Sequence, residues 1–357
     1  NYTKILCGYL NIATFSENKG VCFMFKYILK RIGISILVLF GVSVVIYMIV
    51  RLMPTDFIEN KYQSQLANGQ MTMEDIYNMK EPLGLNDNSF WGILKGYWKW
   101  FSQAIQGNLG DSWKYNRKVS DVIGENMWIS FSIAIIATAL QFLMAIPLGI
   151  TSATHQYSAR DYIVTVLTMI GISLPTYFFG AILIKVFSVD LGWFPTEGLN
   201  SSKVFETTFA GWWAKLFDTI HHLILPIFCS VILSIGGLMR YTRTNMLEVL
   251  SSDYIRTARA KGLSEKKVIY KHAFRNTMIP IVTLLAGILP SLFGGMMITE
   301  EVFGIPGIGR MAYKALTEGD IPFIMGYNMF LAILTVLGTL FSDIMYSVVD
   351  PRVKLGK

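Results

Sequence analysis

Residues 253–276 read DYIRTARAKGLSEKKVIYKHAFRN, a basic, charge-dense stretch set between two long apolar runs. Its grammar is helix, sharp stop, second helix. Ser252 or Asp253 can cap a short first helix, and Gly262 stands where a left-handed C-terminal cap belongs. Leu263 supplies the apolar contact that follows such a glycine, and Ser264 with Glu265 opens the next helix. Along the first helix Tyr254, Thr257, Ala258 and Lys261 lie three or four residues apart and so share a face. The expectation is a helix over 253–261 that docks on a protein partner. Ala258 and Ala260 would allow close approach, Tyr254 would fill an apolar pocket, and Arg256 and Arg259 would meet acidic groups at its rim. A basic helix lying on anionic lipid is the alternative, but it would need a wide apolar face and has no use for the glycine.

Outward from this stretch the chain is membrane-like. Its 357 residues are 53% hydrophobic and 15% charged, with a mean hydropathy of +0.45, too apolar for an ordinary soluble domain. Six apolar runs of spanning type fall at 32–52, 128–150, 162–187, 223–239, 278–299 and 323–349, where about 20 residues cross a bilayer. The loop around the opening stretch carries Arg240, Arg243, Arg256, Arg259, Lys261, Lys266, Lys267, Lys271 and Arg275 against Glu248, Asp253 and Glu265. The loops at 188–222 and 300–322 each hold more acids than bases. Because Lys and Arg are retained on the cytoplasmic side, the basic loop and both termini are placed in the cytoplasm.

The organisation follows. Residues 1–23 form a polar leader or extension without the apolar core of a signal peptide, and the string from Met24 reads like a natural start. Residues 24–52 are an N-terminal segment and first span. Residues 53–127 turn polar and aromatic, an external subdomain in which some of Trp91, Trp98, Trp100 and Trp113 rest at the membrane interface. Residues 128–357 hold five further helices and the loop 240–277. Pro147, Pro175, Pro226, Pro280 and Pro290 lie in or at the ends of spans, where neighbours or water can satisfy the freed carbonyls; each is read as a local kink.

The segment Arg256-Thr257-Ala258-Arg259-Ala260-Lys261-Gly262-Leu263 resembles the cytoplasmic coupling loop of binding-protein-dependent ABC importers, in the form of their oligopeptide/dipeptide permease branch. The general pattern has Glu-Ala-Ala where this chain has Arg256-Thr257-Ala258, and His272-Ala273-Phe274-Arg275 replaces an Ile-x-Leu-Pro. The phrases Pro82-Leu83-Gly84-Leu85 and Gly107-Asn108-Leu109-Gly110-Asp111-Ser112 resemble the same branch, as do the turn from Glu301 to Arg310 (EVFGIPGIGR) and the closing Asp350-Pro351-Arg352. After the first span, where that family often has Pro-Gly-Asp-Pro, this chain has Pro54-Thr55-Asp56-Phe57. The resemblance implies an all-α permease fold with six transmembrane helices, in a bacterial plasma (inner) membrane. It also implies a second homologous permease subunit, two cytoplasmic ATPase subunits that hold ATP and Mg, and an external peptide-binding protein. The residues it assigns to ATPase coupling are Asp253, Tyr254, Arg256, Thr257, Ala258, Arg259, Ala260, Lys261, Gly262 and Leu263.

Other chemistry finds little in the sequence. No G-x-x-x-x-G-K-[ST] cradle occurs, and the glycines from Gly304 to Gly309 precede no Lys, so no ATP site and no enzymatic activity are expected of this chain itself. Adjacent His221 and His222 point to different helix faces and have no third ligand, so no metal is expected. Cys7, Cys22 and Cys229 have no paired spacing. Lys185 and Asp343 lie near span ends, where snorkelling suffices, and no ionisable group is placed at mid-membrane. No nucleic-acid partner is expected; membrane lipid is. The expected function is peptide translocation in an ATP-driven importer. A nickel or other small-solute importer and an ion-gradient-driven carrier are the alternatives.

Overall fold

The structure, a computed structural model, describes residues 18–52, 57–87, 89–201 and 209–349. The expected leader at 1–17, the Pro54-Thr55-Asp56 turn and the closing Asp350-Pro351-Arg352 lie outside the described residues. Thirteen helices organise the described chain: α1 (Asn18–Arg51), α2 (Phe57–Ala67), α3 (Met73–Lys80), α4 (Phe90–Ile105), α5 (Val119–Thr154), α6 (Ala159–Ser173), α7 (Thr176–Leu183), α8 (Phe209–Leu250), α9 (Asp253–Ala260), α10 (Phe274–Gly294), α11 (Met297–Val302), α12 (Ile308–Thr317) and α13 (Ile321–Val349). Shorter turns join them, and Asp111 and Lys118 form an isolated antiparallel bridge. The all-α expectation holds. Helix α1 starts inside the segment read as leader.

Four helical stretches are long and apolar enough to cross a membrane: Leu29–Arg51, Val119–Thr154, Phe209–Leu250 and Ile321–Phe341. A fifth candidate is the pair Ala159–Ser173 and Thr176–Asp190, which bends by 102°. The straight span expected at 162–187 is therefore corrected to a broken one. Pro175 has no amide hydrogen to continue a helix and forces the residue before it into extended geometry; Leu174 has φ −82°, ψ 130°. Pro147 and Pro226, by contrast, sit inside unbroken helices. The run at 278–299 falls mostly on α10, which stops at Gly294 before Gly295, φ +76°.

Helices α5 and α8 form the centre, with α6 against α8, α10 against α13 and α13 against α1. The α6–α8 crossing is close because glycines face backbone: a Cβ on Gly171 would lie 2.6 Å from the Ile232 oxygen, and one on Gly236 would lie 2.6 Å from the Thr168 oxygen. Such approach without side chains between is how helices associate where no hydrophobic drive separates protein from lipid.

The segment between α1 and α5 is helical and packs on the end of α1. The Tyr47 hydroxyl donates to the Leu83 carbonyl at 3.1 Å, and Arg51 donates to the Gly84 and Asp87 carbonyls at 2.6 Å each. Helix α4 carries Tyr97 and Trp100 into a cluster with Tyr47, Ile76, Ile321 and Met325. Of the tryptophans expected at an interface, Trp91 and Trp98 are exposed, whereas Trp100 is 2% exposed and belongs to the core.

Candidate functional site

At the basic end of the bundle, the end carrying residues 240–277, α9 stands off the end of α8. Ser252 takes the N-cap position with extended geometry, but its hydroxyl donates back to the Val249 carbonyl and makes no cap bond. The expected side-chain cap is thus absent, and the helix start is held instead by Ile255 and Arg256 amides donating to the Ser252 carbonyl at 3.1 and 3.3 Å. The helix ends at Ala260, with Lys261 as C-cap. Gly262 then adopts φ +74°, a conformation costly for any residue with a Cβ, and its amide donates to the Arg259 carbonyl at 2.9 Å. The glycine stop is where the sequence placed it. Ser264 is the N-cap of the next turn, again without a side-chain bond. Glu265–Lys267 and a π-helical Val268–Ala273 lead without a break into α10.

One face of α9 is buried: Ile255 is 0% and Ala258 7% exposed, packed with Ile150, Ala153, Met246, Val268 and Ala273, and Leu263 flanks them. The expectation that Ala258 offers its small side chain to a partner is corrected. It faces this chain's own core, where burial of Ile255 alone is worth about 1.5–3 kcal/mol. The outward face carries Asp253, Tyr254, Arg256, Thr257, Arg259, Ala260, Lys261 and Gly262, all exposed. Arg259, expected to reach a partner, spends its guanidinium on Glu265, with Nε to Oε2 at 3.2 Å and Nη2 to Oε1 at 2.7 Å. That pair braces the two helices across the glycine and holds the Glu265 carboxyl below its usual range. Asn276 donates to the Tyr254 hydroxyl at 3.1 Å, tying α9 to α10.

The platform beneath is fixed by a buried carboxylate that the sequence reading did not single out. Asp161, at the start of α6, accepts from Arg243 Nε at 3.0 Å and Nη2 at 2.9 Å, from the Tyr157 amide at 3.0 Å and from the Ser152 hydroxyl. It joins the end of α5, the start of α6 and the basic half of α8. The one local signal was Ser158-Ala159-Arg160-Asp161, a helix-start signature; Ser158 does accept from the Asp161 amide at 3.4 Å.

Two more carboxylates knot the opposite end. Glu300, 0% exposed, accepts from the Ser130 hydroxyl at 2.7 Å and the Met296 amide at 3.0 Å on one oxygen, and from the Arg310 amide at 2.9 Å on the other. The glycines of the 301–310 motif make room for it: a Cβ on Gly307 would lie 2.4 Å from Oε2, and one on Gly309 2.9 Å from it. Arg310 Nε donates to Glu301 at 3.1 Å. Asp320, also fully buried, accepts from the Ser112 hydroxyl and from the Trp113, Lys114 and Phe323 amides at 3.1–3.2 Å. The Gly107–Ser112 phrase is thereby tied to the start of α13. Burial, with the charge of the same carboxylate adding to it, pushes the nearby Tyr115 phenol up to about 12.

Elsewhere the titratable groups are used locally. His221 Nε2 lies 2.8 Å from the Trp193 carbonyl and His222 Nδ1 2.8 Å from the Asp218 carbonyl. Lys185 pairs with Asp190, and the Asp343 side chain lies outside the described residues. Among the described residues no three His, Cys, Asp or Glu side chains group as a metal site.

A bundle of apolar helices, knotted by buried carboxylates at both ends and presenting a braced helix–glycine–helix outside it, has the architecture of a multi-pass membrane protein. The chain belongs to the family of binding-protein-dependent transport system inner membrane components, whose model matches residues 145–355. It is 37% identical over 332 residues to the oligopeptide transport system permease protein AppB of Bacillus subtilis, covering 93% of this chain and 100% of the relative. The dipeptide transport system permease protein DppB of Alkalihalophilus pseudofirmus is 33% identical, and a putative peptide permease protein of Brucella ovis 34%, with the same coverage of both chains. Among solved structures, the MetNI methionine ABC transporter in inward facing conformations aligns over 64% of this chain and 96% of its own, with a TM-score of 0.47 and 15% identity.

Proposed function

We propose that this chain is a permease subunit of an ATP-driven importer that translocates peptides delivered by an external binding protein. Full-length similarity to peptide permeases, at 33–37% identity, is the observation that carries the substrate class. In this reading the basic end faces the cytoplasm, as do both termini, since retained Lys and Arg mark that side. A second permease of the same family completes the translocation unit, and two ATPase subunits supply ATP and Mg chemistry from below.

Helix α9 is the coupling element. It is too short to be stable alone, yet it is braced by the Arg259–Glu265 pair, the Gly262 turn and the Ile255 anchor, so a push on its outer face is passed to α8 and α10. Tyr254, Arg256, Thr257, Ala260 and Lys261 form the contact face; Ala258, Arg259, Gly262 and Leu263 hold it in shape. Helix α8 also exposes Ser234, Gly237, Tyr241 and Thr244 toward the basic end, whereas α6 exposes Ile163, Val166, Leu167 and Ile170. The polar stripe suits a water-filled pathway shared with the second permease, and the apolar one suits lipid.

The test is reconstitution of this chain in liposomes with its genetic neighbours: the second permease, the ATPases and the binding protein. ATP-dependent peptide uptake, with ATPase activity raised by peptide-loaded binding protein, is expected. Uptake driven by an ion gradient with this chain alone, or nickel uptake without peptide uptake, overturns the reading.

A further inference from the structure

We propose that the groove between α1 and α4 is a binding site for one acyl chain of a membrane phospholipid. The groove has a volume of about 230 Å³, below the 300–1,000 Å³ usual for small-molecule sites and suited to a segment of a single hydrocarbon chain. Phe40, Val44 and Met48 of α1 form one wall, and Phe90, Leu94 and Trp98 of α4 the other. Tyr47 and Tyr97 also line it, but their hydroxyls are used inside the protein. The Tyr47 hydroxyl donates to the Leu83 carbonyl at 3.1 Å, and the Tyr97 hydroxyl lies 2.8 Å from Ser43 Oγ. Only ring faces and alkyl groups are offered, so a polar ligand would lose its hydrogen bonds on entry.

Position supplies the occupant. Leu29–Arg51 is a membrane span by length and composition, and only 11% of its apolar window is buried inside the protein. Ile36, Leu37, Val45 and Ile49 are exposed around it, so the groove is continuous with the exposed apolar face of that span. Phe40 lies eleven residues before Arg51, roughly 16 Å along the helix, which sets the groove within one leaflet, on the side of Arg51. Helix α4 has the character of an interfacial helix: Tyr97 and Trp100 are buried, Phe90, Trp91 and Trp98 are 51–74% exposed, and Lys95 is exposed beside them. Phe90 and Trp91, near the Asp87 carbonyl that Arg51 holds, suit the headgroup level, with Lys reaching for phosphate, whereas Trp98 packs on Phe40 about half-way along the span. A lipid held there would seat α4, and with it the segment from α2 to α4, against the bilayer.

The test uses the complete transporter in liposomes containing phosphatidylglycerol with a photoreactive diazirine at mid-chain, followed by mass-spectrometric mapping of adducts. Adducts are expected at Phe40–Met48 and Phe90–Trp98 in clear excess over the lipid-facing Ile163–Ile170 face of α6. Val44→Phe, which fills the groove, should lower the groove adducts roughly fourfold for each methylene it excludes and leave those on α6 unchanged. Should Val44→Phe not assemble, Phe90→Ala, which removes an exposed wall residue, is expected to lower them in the same way. Equal labelling of groove and α6, or a disulfide between Leu94→Cys and a cysteine of the second permease, would overturn the proposal; the second result would show protein, not lipid, covering the groove. Neither outcome bears on peptide import, which is read separately from uptake.

Discussion

Glu300→Gln should destabilise the end of the bundle opposite α9, and the cost follows from donor geometry. Three donors converge on the carboxylate: the Ser130 hydroxyl and Met296 amide on Oε1, and the Arg310 amide on Oε2. A glutamine has one acceptor and one donor. With its oxygen at the Oε1 position, its amino group faces the Arg310 N–H; flipped, it faces the Met296 N–H. Either orientation leaves one backbone donor buried without an acceptor, at about 1–3 kcal/mol, and turns the remaining charge-assisted bonds into neutral ones of roughly half the strength. Ser130 Oγ also accepts from the Ile308 amide at 2.9 Å, so the same hydroxyl links the carboxylate to the start of α12. A loss of about 2 kcal/mol corresponds to a melting shift of roughly 3 °C for a chain of 357 residues at about 2.1 cal/mol/K of unfolding entropy per residue. Cys229, fully buried, offers the assay: in a Cys7→Ser, Cys22→Ser background, a thiol-reactive fluorophore reports its exposure as the detergent-solubilised protein is heated. Ser130→Ala should shift the melt in the same direction by a smaller amount. Glu300→Gln melting within 1 °C of its parent would show that the carboxylate does not hold this loop.

Ala258→Glu buries a charge against Ile255 and Met246, so it should lower the yield of folded protein as well as transport; Ala260→Glu, on the outer face, should leave the melt unchanged and reduce ATPase assembly, and normal assembly of Ala260→Glu would refute docking through that face. Gly262→Val forces a β-branched residue to φ +74°, at about 1 kcal/mol or more, and transport assays of the assembled complex should show weakened coupling with the membrane insertion intact. The Arg259–Glu265 brace is expected to weaken in acid. Glu265 has its carboxyl pKa lowered from 4.5 by Arg259, so its contribution is present above about 4.5 and fades as pH falls through the lower folded value. Hydrogen exchange of the amides at Lys267 and Val268 should therefore lose protection in that window in the parent, and Arg259→Ala should show no such pH step. Impermeant thiol reagents on intact cells should label Gln63→Cys and not Ser264→Cys; the reverse pattern would invert the orientation proposed here.

What could be read from the sequence was local. The helix–glycine–helix at 253–276 follows from residues within a few positions of one another, and Gly262 adopts the left-handed geometry that its place demanded. The apolar runs followed from composition, though not the break at Pro175, where a proline tolerated inside α5 and α8 instead turns the chain. The facing of α9 was misjudged because Ile255 was left out of the pattern: it is the one large aliphatic residue of this eight-residue helix, and it marks the inward side. The three carboxylate knots were hidden for a different reason. Asp161 meets Arg243 across 82 positions, Glu300 meets Ser130 across 170 and Asp320 meets Ser112 across 208, and no periodicity encodes pairings of that range.

Those separations also explain why the motifs of the opposite end look the way they do. Gly295, Gly307 and Gly309 surround Glu300, and the space a Cβ would take at each lies within 3.1 Å of a carboxylate oxygen. A phosphate-cradling loop also uses glycines to bring backbone amides onto an anion. Here the anion is the chain's own side chain, so the glycine-rich turn is a closed site and its amides are already occupied. Asp320 does the same with the amides of Trp113 and Lys114, and Asp161 with that of Tyr157. In each case a carboxylate at the end of the bundle takes the place of water for amides of turns or first helical turns that have no intrahelical acceptor. The bundle is pinned at its ends, while between α6 and α8 the helices pack through glycines, Gly171 and Gly236, that face backbone.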